Sequence, residues 1–214
     1  MRVFTRLAKF VTCKLLFRVR VYNEEVLDEY QTYLICPNHS SVIDPAFVFP
    51  VKYEYDIYAV AKEELFKYAW FRFLANRYNA IPINREKTDV RSMLKALNVF
   101  ENNEKAKLII FPEGKVIKTE DEVGKIYKKG AAFIAANMKK PIIPVFITRR
   151  PWLFSRVNVV YGEPFLITKN DIKGIGKIEE KTKEIIDRIY ELRETKWKVL
   201  DLLALAVEQK QQAI

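Results

Sequence analysis

The sequence predicts an α/β domain with a mostly parallel or mixed central sheet flanked by helices. Two observations predict it. Short apolar runs of strand length alternate along the chain with longer stretches of helical periodicity. The short runs are also mostly apolar, as strands are when both faces of their sheet are buried. Half of the 214 residues are hydrophobic, with 14 Phe and 11 Tyr, so one large core is within reach.

The first segment is basic. Arg2, Arg6, Lys9, Lys14, Arg18 and Arg20 all precede the first acid, Glu24. Apolar residues at 3, 4, 7, 10, 11 and 15 recur near helical spacing. Two readings stand: an amphipathic helix lying in a membrane interface, or a helix packed on the domain with its basic side chains snorkelling to water. Large aromatics combined with unbroken positive charge favour the first. No apolar run here nears the roughly 20 residues that span a bilayer, and charges interrupt every window that could serve as a secretory core. This divides the chain into a membrane-association segment, 1–22, and a single domain, 23–214, with a long C-terminal helix.

Strands are predicted at Tyr33–Pro37, Tyr55–Ala61, Ala80–Asn84, Lys107–Pro112, Ile142–Thr148 and Val157–Gly162. Helices are predicted at Glu63–Tyr78, Asp89–Asn102, Gly124–Met138 and from Lys177 onward. The apolar stretch after Trp197 reads as a docking helix or a second membrane contact. Cys13 and Cys36 are too few and too far apart for a disulfide framework or a zinc site, so a reducing compartment is the default. A net charge of +10 points to an anionic partner: nucleic acid, an acidic protein or an anionic membrane surface. No nucleic-acid-binding motif is recognisable.

The most informative stretch is Asn38-His39-Ser40-Ser41-Val42-Ile43-Asp44, which follows the strand at 33–37 and holds the only histidine of the chain. In one continuous helix, residues five apart sit about 140° apart and do not meet. With His39 on a strand-to-helix turn and Asp44 as N-cap before Pro45, they do. An imidazole oriented by a carboxylate is a general base near neutral pH. A capped turn that merely contains a histidine is the other reading. Three more segments sit where α/β enzymes build their sites, at strand ends. A strand ends in Arg85, suited to bidentate phosphate binding or simply solvated. Another runs into Phe111-Pro112-Glu113-Gly114, a turn that brings a carboxylate and a permissive glycine to its end. The third, Pro141-Ile142-Ile143-Pro144-Val145, carries two prolines and is expected at an edge or bulge.

In this order the four segments resemble the glycerolipid acyltransferases, specifically the 1-acylglycerol-3-phosphate acyltransferase family. That family's pattern is Asn-His, four residues, Asp; a strand ending in Arg; Phe-Pro-Glu-Gly; and a Pro-rich apolar strand. The match spans roughly residues 30–165. Asn79 stands where the family has Gly, and asparagine also tolerates left-handed backbone. Lys115-Val116 stands where the family has Thr/Ser-Arg, which leaves Lys115 or Lys118 to supply a point charge without a guanidinium fork.

The resemblance implies transfer of an acyl group from a thioester of acyl carrier protein or coenzyme A to the 2-hydroxyl of lysophosphatidic acid, giving phosphatidic acid. It implies His39 as the base and Asp44 as its orienting partner, with direct attack rather than an acyl-enzyme on Ser40 or Ser41. Arg85 would bind the acceptor phosphate, Glu113 and Gly114 would position the glycerol, Lys115 would join them in substrate binding, and the strand containing Pro144 would line the site. No metal or cofactor is required, and no nucleic acid is a partner. The protein is expected to sit peripherally on an anionic membrane surface, at the cytoplasmic face of the cell membrane. Other acceptors, such as another lysophospholipid or glycerol 3-phosphate, and a non-catalytic lipid-binding role are the alternatives.

Overall fold

The computed structural model describes residues 16–48, 56–77, 79–84, 90–148 and 153–193. The strands are β1 (Arg18–Tyr22), β2 (Tyr33–Pro37), β3 (Ile57–Lys62), β4 (Ala80–Ile83), β5 (Lys107–Ile109), β6 (Ile142–Ile147) and β7 (Arg156–Tyr161). The helices are α1 (Asp44–Val48), α2 (Ala69–Arg77), α3 (Val90–Asn102), α4 (Gly130–Met138) and α5 (residues 177–193). Single 3-10 turns lie at Glu24–Asp28, Glu63–Lys67 and Glu120–Glu122.

The strands form one sheet in the order β1-β7-β6-β2-β5-β3-β4. Every neighbouring pair is parallel except β6–β7, so the sheet is mixed but mostly parallel. Alternation along each strand sends side chains to opposite faces. Leu34, Leu108, Ile142 and Phe146 pack on one face with α3, α4 and α5; Tyr33, Ile35, Ile109, Ile143 and Val145 pack on the other with Phe17, Leu27, Phe47 and Val48. Both faces are covered at the centre of the sheet, which is why β2 and β6 read as unbroken apolar runs.

Three expectations need correction. Residues 18–22 do not continue an N-terminal helix: β1 is an edge strand in parallel register with β7, from Arg18↔Arg156 to Tyr22↔Val160. The sheet therefore begins ahead of the boundary expected after residue 22. Arg-Val-Arg-Val-Tyr alternates with period two, and the exposed Arg18 and Arg20 suit an edge. The rest of the expected membrane segment, 1–15, lies outside the described residues, as does the apolar stretch after Trp197.

The second correction is Pro144. It lies in β6, an interior strand between β7 and β2, not at an edge. It pairs with Cys36 of β2, and Gly162 N–H donates to its carbonyl at 2.8 Å. The return bond to Gly162 is the one a proline cannot give, and β7 has just ended at Tyr161. The missing donor thus falls where the ladder stops. The ring also needs a glycine opposite, because a Cβ on Gly162 would lie 2.9 Å from Pro144 Cγ.

The third concerns helix ends. The stretch predicted as one helix over 63–78 is a 3-10 turn followed by α2, because Tyr68 takes an extended ψ of 129°. Helix α4 starts at Gly130 rather than near Gly124, since Lys128 N–H is drawn to Pro112 O at 2.8 Å. Asn79 does adopt the left-handed conformation, at φ 43°, and its Nδ2 donates to Ile57 O at 3.0 Å.

Candidate active site

Strands β5 and β6 flank β2 and both run parallel to it, so the segments leaving β2 and β5 and the end of β6 emerge together at one end of the sheet. Asn38, fully buried, fixes the first of them. Its Oδ1 accepts Ile147 N–H at 2.7 Å and its Nδ2 donates to Ile147 O at 3.1 Å, so the amide continues the β2–β6 ladder by one side chain.

His39 follows and is held at several points. Its Nδ1 lies 3.1 Å from Asp44 Oδ2. Its ring packs on Phe111 with centroids 4.3 Å apart. Its N–H donates to Glu113 Oε2 at 2.6 Å, and its carbonyl accepts Ile117 N–H at 2.7 Å. The segment 111–117 therefore clasps the histidine by ring, amide and carbonyl. The side chain keeps 14 % of its surface open.

Asp44 is completely buried at the start of α1. Besides His39, its Oδ2 accepts the N–H groups of Ser40 at 2.6 Å and Ser41 at 2.7 Å. The expected N-cap thus looks backward: the carboxylate closes its own preceding turn and brings the imidazole to it. Oδ2 accepts from two amides and so faces Nδ1 as an acceptor. This fixes Nδ1 as the protonated nitrogen and leaves Nε2 as the basic one.

Glu113 has a different place from the one the resemblance implies. It is fully buried, and both oxygens are engaged: Oε2 by His39 N–H and Oε1 by Tyr190 O–H at 2.5 Å. A carboxylate so committed holds the loop and is not turned toward a glycerol. Gly114 takes φ 69°, where a side chain is strained, and the space a Cβ would fill is occupied by the stem of Lys128, 2.6 Å away. Lys115 is exposed and bonded to Glu122 at 2.7 Å. That bond, with the Lys118 amide, holds the Glu122 carboxyl down at about 2, so this carboxylate stays charged across the physiological range. Pro144 lies within the sheet opposite Cys36, three residues before His39, in packing rather than at the opening. Arg85 lies outside the described residues; β4, which leads to it, ends at the same end of the sheet as His39, three strands from β2.

Sequence reasoning missed Tyr190, which lies 77 residues from Glu113 on α5 and carries no local motif. The one signal was helical periodicity placing it one turn from Ile186 on a core-docking helix. Beside Phe111 opens a mostly apolar cleft of about 60 Å³, bounded by Val60, Ile83, Met93, Ile134 and Lys128. Among the described residues, no three His, Cys, Asp or Glu side chains converge as metal ligands. Burial pushes the Cys36 thiol far above its ordinary range, so it is an inert core residue.

The 1-acyl-sn-glycerol-3-phosphate acyltransferase of Bacillus subtilis (strain 168) is 30% identical over 126 residues, covering 59% of this chain and 60% of that protein. The enzyme of the same name from Saccharomyces cerevisiae is 29% identical over 188 residues, covering 81% of this chain and 60% of that protein. The chain thus spans about 60% of the length of these relatives. In structure it resembles the 1-acyl-sn-glycerophosphate (LPA) acyltransferase PlsC from Thermotoga maritima, with a TM-score of 0.59 and 23% identity over 82% of this chain and 72% of that one, a likeness of fold. The family model described as acyltransferase matches residues 18–148, from the first residue of β1 to just past the end of β6, and includes Asp44 and the segment 111–117 that clasps His39. The chain belongs to the acyltransferase family.

Proposed function

We propose that the protein transfers a fatty acyl group from an acyl thioester, of acyl carrier protein or coenzyme A, to the 2-hydroxyl of lysophosphatidic acid. The observation that carries the reading is the buried Asp44 carboxylate fixing Nδ1 of a partly open His39, which leaves Nε2 as base. Nε2 takes the proton of the acceptor hydroxyl as its oxygen attacks the thioester carbonyl. Asp44 stabilises the imidazolium that forms. The C–S bond then breaks, and the leaving thiolate takes the proton back. The names of the B. subtilis and S. cerevisiae relatives support this acceptor.

The apolar cleft beside Phe111 is placed to take the acyl chain. At about 60 Å³ it holds roughly two water volumes, so a chain enters by displacing flexible side chains. Met93 and the stem of Lys128 are such side chains. The deciding experiment combines the purified protein with lysophosphatidic acid and a labelled acyl thioester, with products identified by mass spectrometry. Phosphatidic acid is the expected product. A different acylated lipid would reassign the acceptor, and an unconsumed thioester would refute catalysis.

Arg85 is proposed to bind the acceptor phosphate. Arg85→Ala is then expected to raise KM for lysophosphatidic acid by about tenfold or more with little change for the thioester, since a charge-assisted bidentate contact is lost. Arg85→Lys is expected to restore only part of it. Equal shifts for both substrates would remove Arg85 from the acceptor site.

An acceptor that stays in a bilayer requires an interfacial mount, which supports a peripheral position at the cytoplasmic face of the membrane. No described helix is long and apolar enough to cross a membrane. Leu153 and Phe154, 59% and 61% exposed, lie in the turn before β7, next to the exposed Arg156 and its register partner Arg18. Because β7 runs antiparallel to β6, this turn lies at the catalytic end of the sheet. Phe154 N–H also bonds Leu16 O, tying the turn to the start of the described chain. Leu153→Ser with Phe154→Ser is expected to lower co-flotation with phosphatidylglycerol vesicles even at low salt. Arg18→Gln with Arg156→Gln is expected to lower it most at low salt, by about 1 kcal/mol per charge. Unchanged flotation of both variants would place the mount elsewhere.

A further inference from the structure

We infer that Tyr190, on the C-terminal helix and outside the segment that the family model matches, is a positioning residue for the catalytic histidine, acting through Glu113. The inference rests on the acyltransfer reading above for its kinetic arm only.

The contacts are continuous. Tyr190 O–H donates to Glu113 Oε1 at 2.5 Å, and Glu113 Oε2 accepts His39 N–H at 2.6 Å. Glu113 has no exposed surface. A buried carboxylate held by one donor alone can swing about its side-chain torsions, and a donor on each oxygen fixes its plane. The two donors come from different parts of the fold, α5 and the turn after β2. Fixing Glu113 therefore fixes the distance between the core-docked helix and the backbone of His39.

The helix is suited to this. Ile185, Ile186 and Ile189 are fully buried, so α5 is anchored to the sheet on the residues just before Tyr190. The Tyr190 ring packs edge-on to Phe146 of β6 at 6.1 Å between centroids, which sets its direction independently of the hydroxyl. One turn on, Arg193 bonds Glu120 at 3.0 Å, an exposed contact from the same helix to the chain just beyond the clasp. Both of these hydrogen bonds run from the helix toward the catalytic side. The buried one continues through Glu113 to His39.

Because the contact acts on the backbone of His39, its loss changes where the imidazole stands more than what the site binds. A displacement of a catalytic group by a fraction of an ångström lowers kcat and leaves ground-state binding nearly as it was. Tyr190→Phe keeps the ring against Phe146 and removes only the hydroxyl, so it is expected to lower kcat about tenfold with KM for either substrate within about twofold. In a Glu113→Gln background the same change is expected to add little, because the two act in series. Arg193→Gln, which loosens the same helix at an exposed point, is expected to leave kcat unchanged.

The chain has one histidine, so a single set of imidazole resonances reports on His39 without any substrate. The test is the nitrogen–proton correlation spectrum of that imidazole in the full-length wild-type, Tyr190→Phe and Arg193→Gln proteins, beside their steady-state kinetics and thermal melts. Displaced or broadened His39 signals in Tyr190→Phe alone, with the kcat-selective loss and the non-additive cycle, support the inference. Unchanged signals and unchanged kcat in Tyr190→Phe overturn it. Equal changes in Arg193→Gln overturn it too, by showing general loosening of the helix. If the wild-type protein acylates no lysophospholipid, the acyltransfer reading fails, and the imidazole spectra alone decide the role of Tyr190.

Discussion

Alanine at position 39 is expected to cut acyl transfer by about 10²–10⁴-fold, the range for loss of a general base, and to leave the fold intact. No other imidazole exists in the chain to take over. The fold survives because His39 is held mainly through its backbone. Its N–H stays on Glu113 and its carbonyl on Ile117, neither of which involves the ring. Asp44 keeps two of its three donors, the amides of Ser40 and Ser41. What is lost structurally is the stacking on Phe111, in a side chain already 14 % open. Thiol release from the acyl donor and a thermal melt check the two halves separately. More than half of wild-type turnover in His39→Ala would end the general-base assignment.

That separation of backbone from side chain also explains what the sequence could and could not reveal. The His39–Asp44 pair was legible because it is local: five residues, one strand end and one proline decide it. The six strands predicted after residue 30 were legible because burial leaves them mostly apolar, with few breaks such as Lys107 and Asn158. Their ends were not, since hydrogen bonds to distant partners set these; Pro112 O draws Lys128 N–H, and α4 starts late.

Strand β1 was hidden by its neighbours. Its Arg-Val-Arg-Val-Tyr alternation was plain, but it follows a stretch of helical spacing and equal charge, and the two read as one. Pro144 misled because proline argues against an interior strand. That rule concerns where the missing donor points, which only the pairing with Gly162 reveals. Glu113 was legible as a site residue but not in its role. A carboxylate at a strand end invites a ligand, and only burial together with two donors from far along the chain shows that it grips the protein instead.

The second large effect is expected at Asp44, where two substitutions should separate charge from architecture. Oδ2 accepts from three donors: two backbone amides and the imidazole. In Asp44→Asn the side-chain carbonyl must take that position, since an amide NH₂ there would face the N–H groups of Ser40 and Ser41. Its orientation is thereby fixed, and Nδ1–H of His39 still finds an acceptor. The tautomer is retained and the negative charge is lost, so the imidazolium that forms on proton transfer is less stabilised. A loss of roughly 10²–10³-fold in kcat is expected, short of the ~10⁴-fold known where the same exchange also reverses the tautomer.

The NH₂ falls where Oδ1 now stands, a buried atom to which no described group bonds, which costs about 1–3 kcal/mol of stability. Asp44→Ala removes the acceptor altogether. The amides of Ser40 and Ser41 are left without it, the turn that carries His39 loosens, and a stability loss beyond that of the asparagine variant is expected along with the activity. Kinetics and thermal melts of the two proteins side by side give the answer. If Asp44→Asn keeps activity within about tenfold of wild type while melting normally, the carboxylate serves as a turn cap and its charge has no part in catalysis.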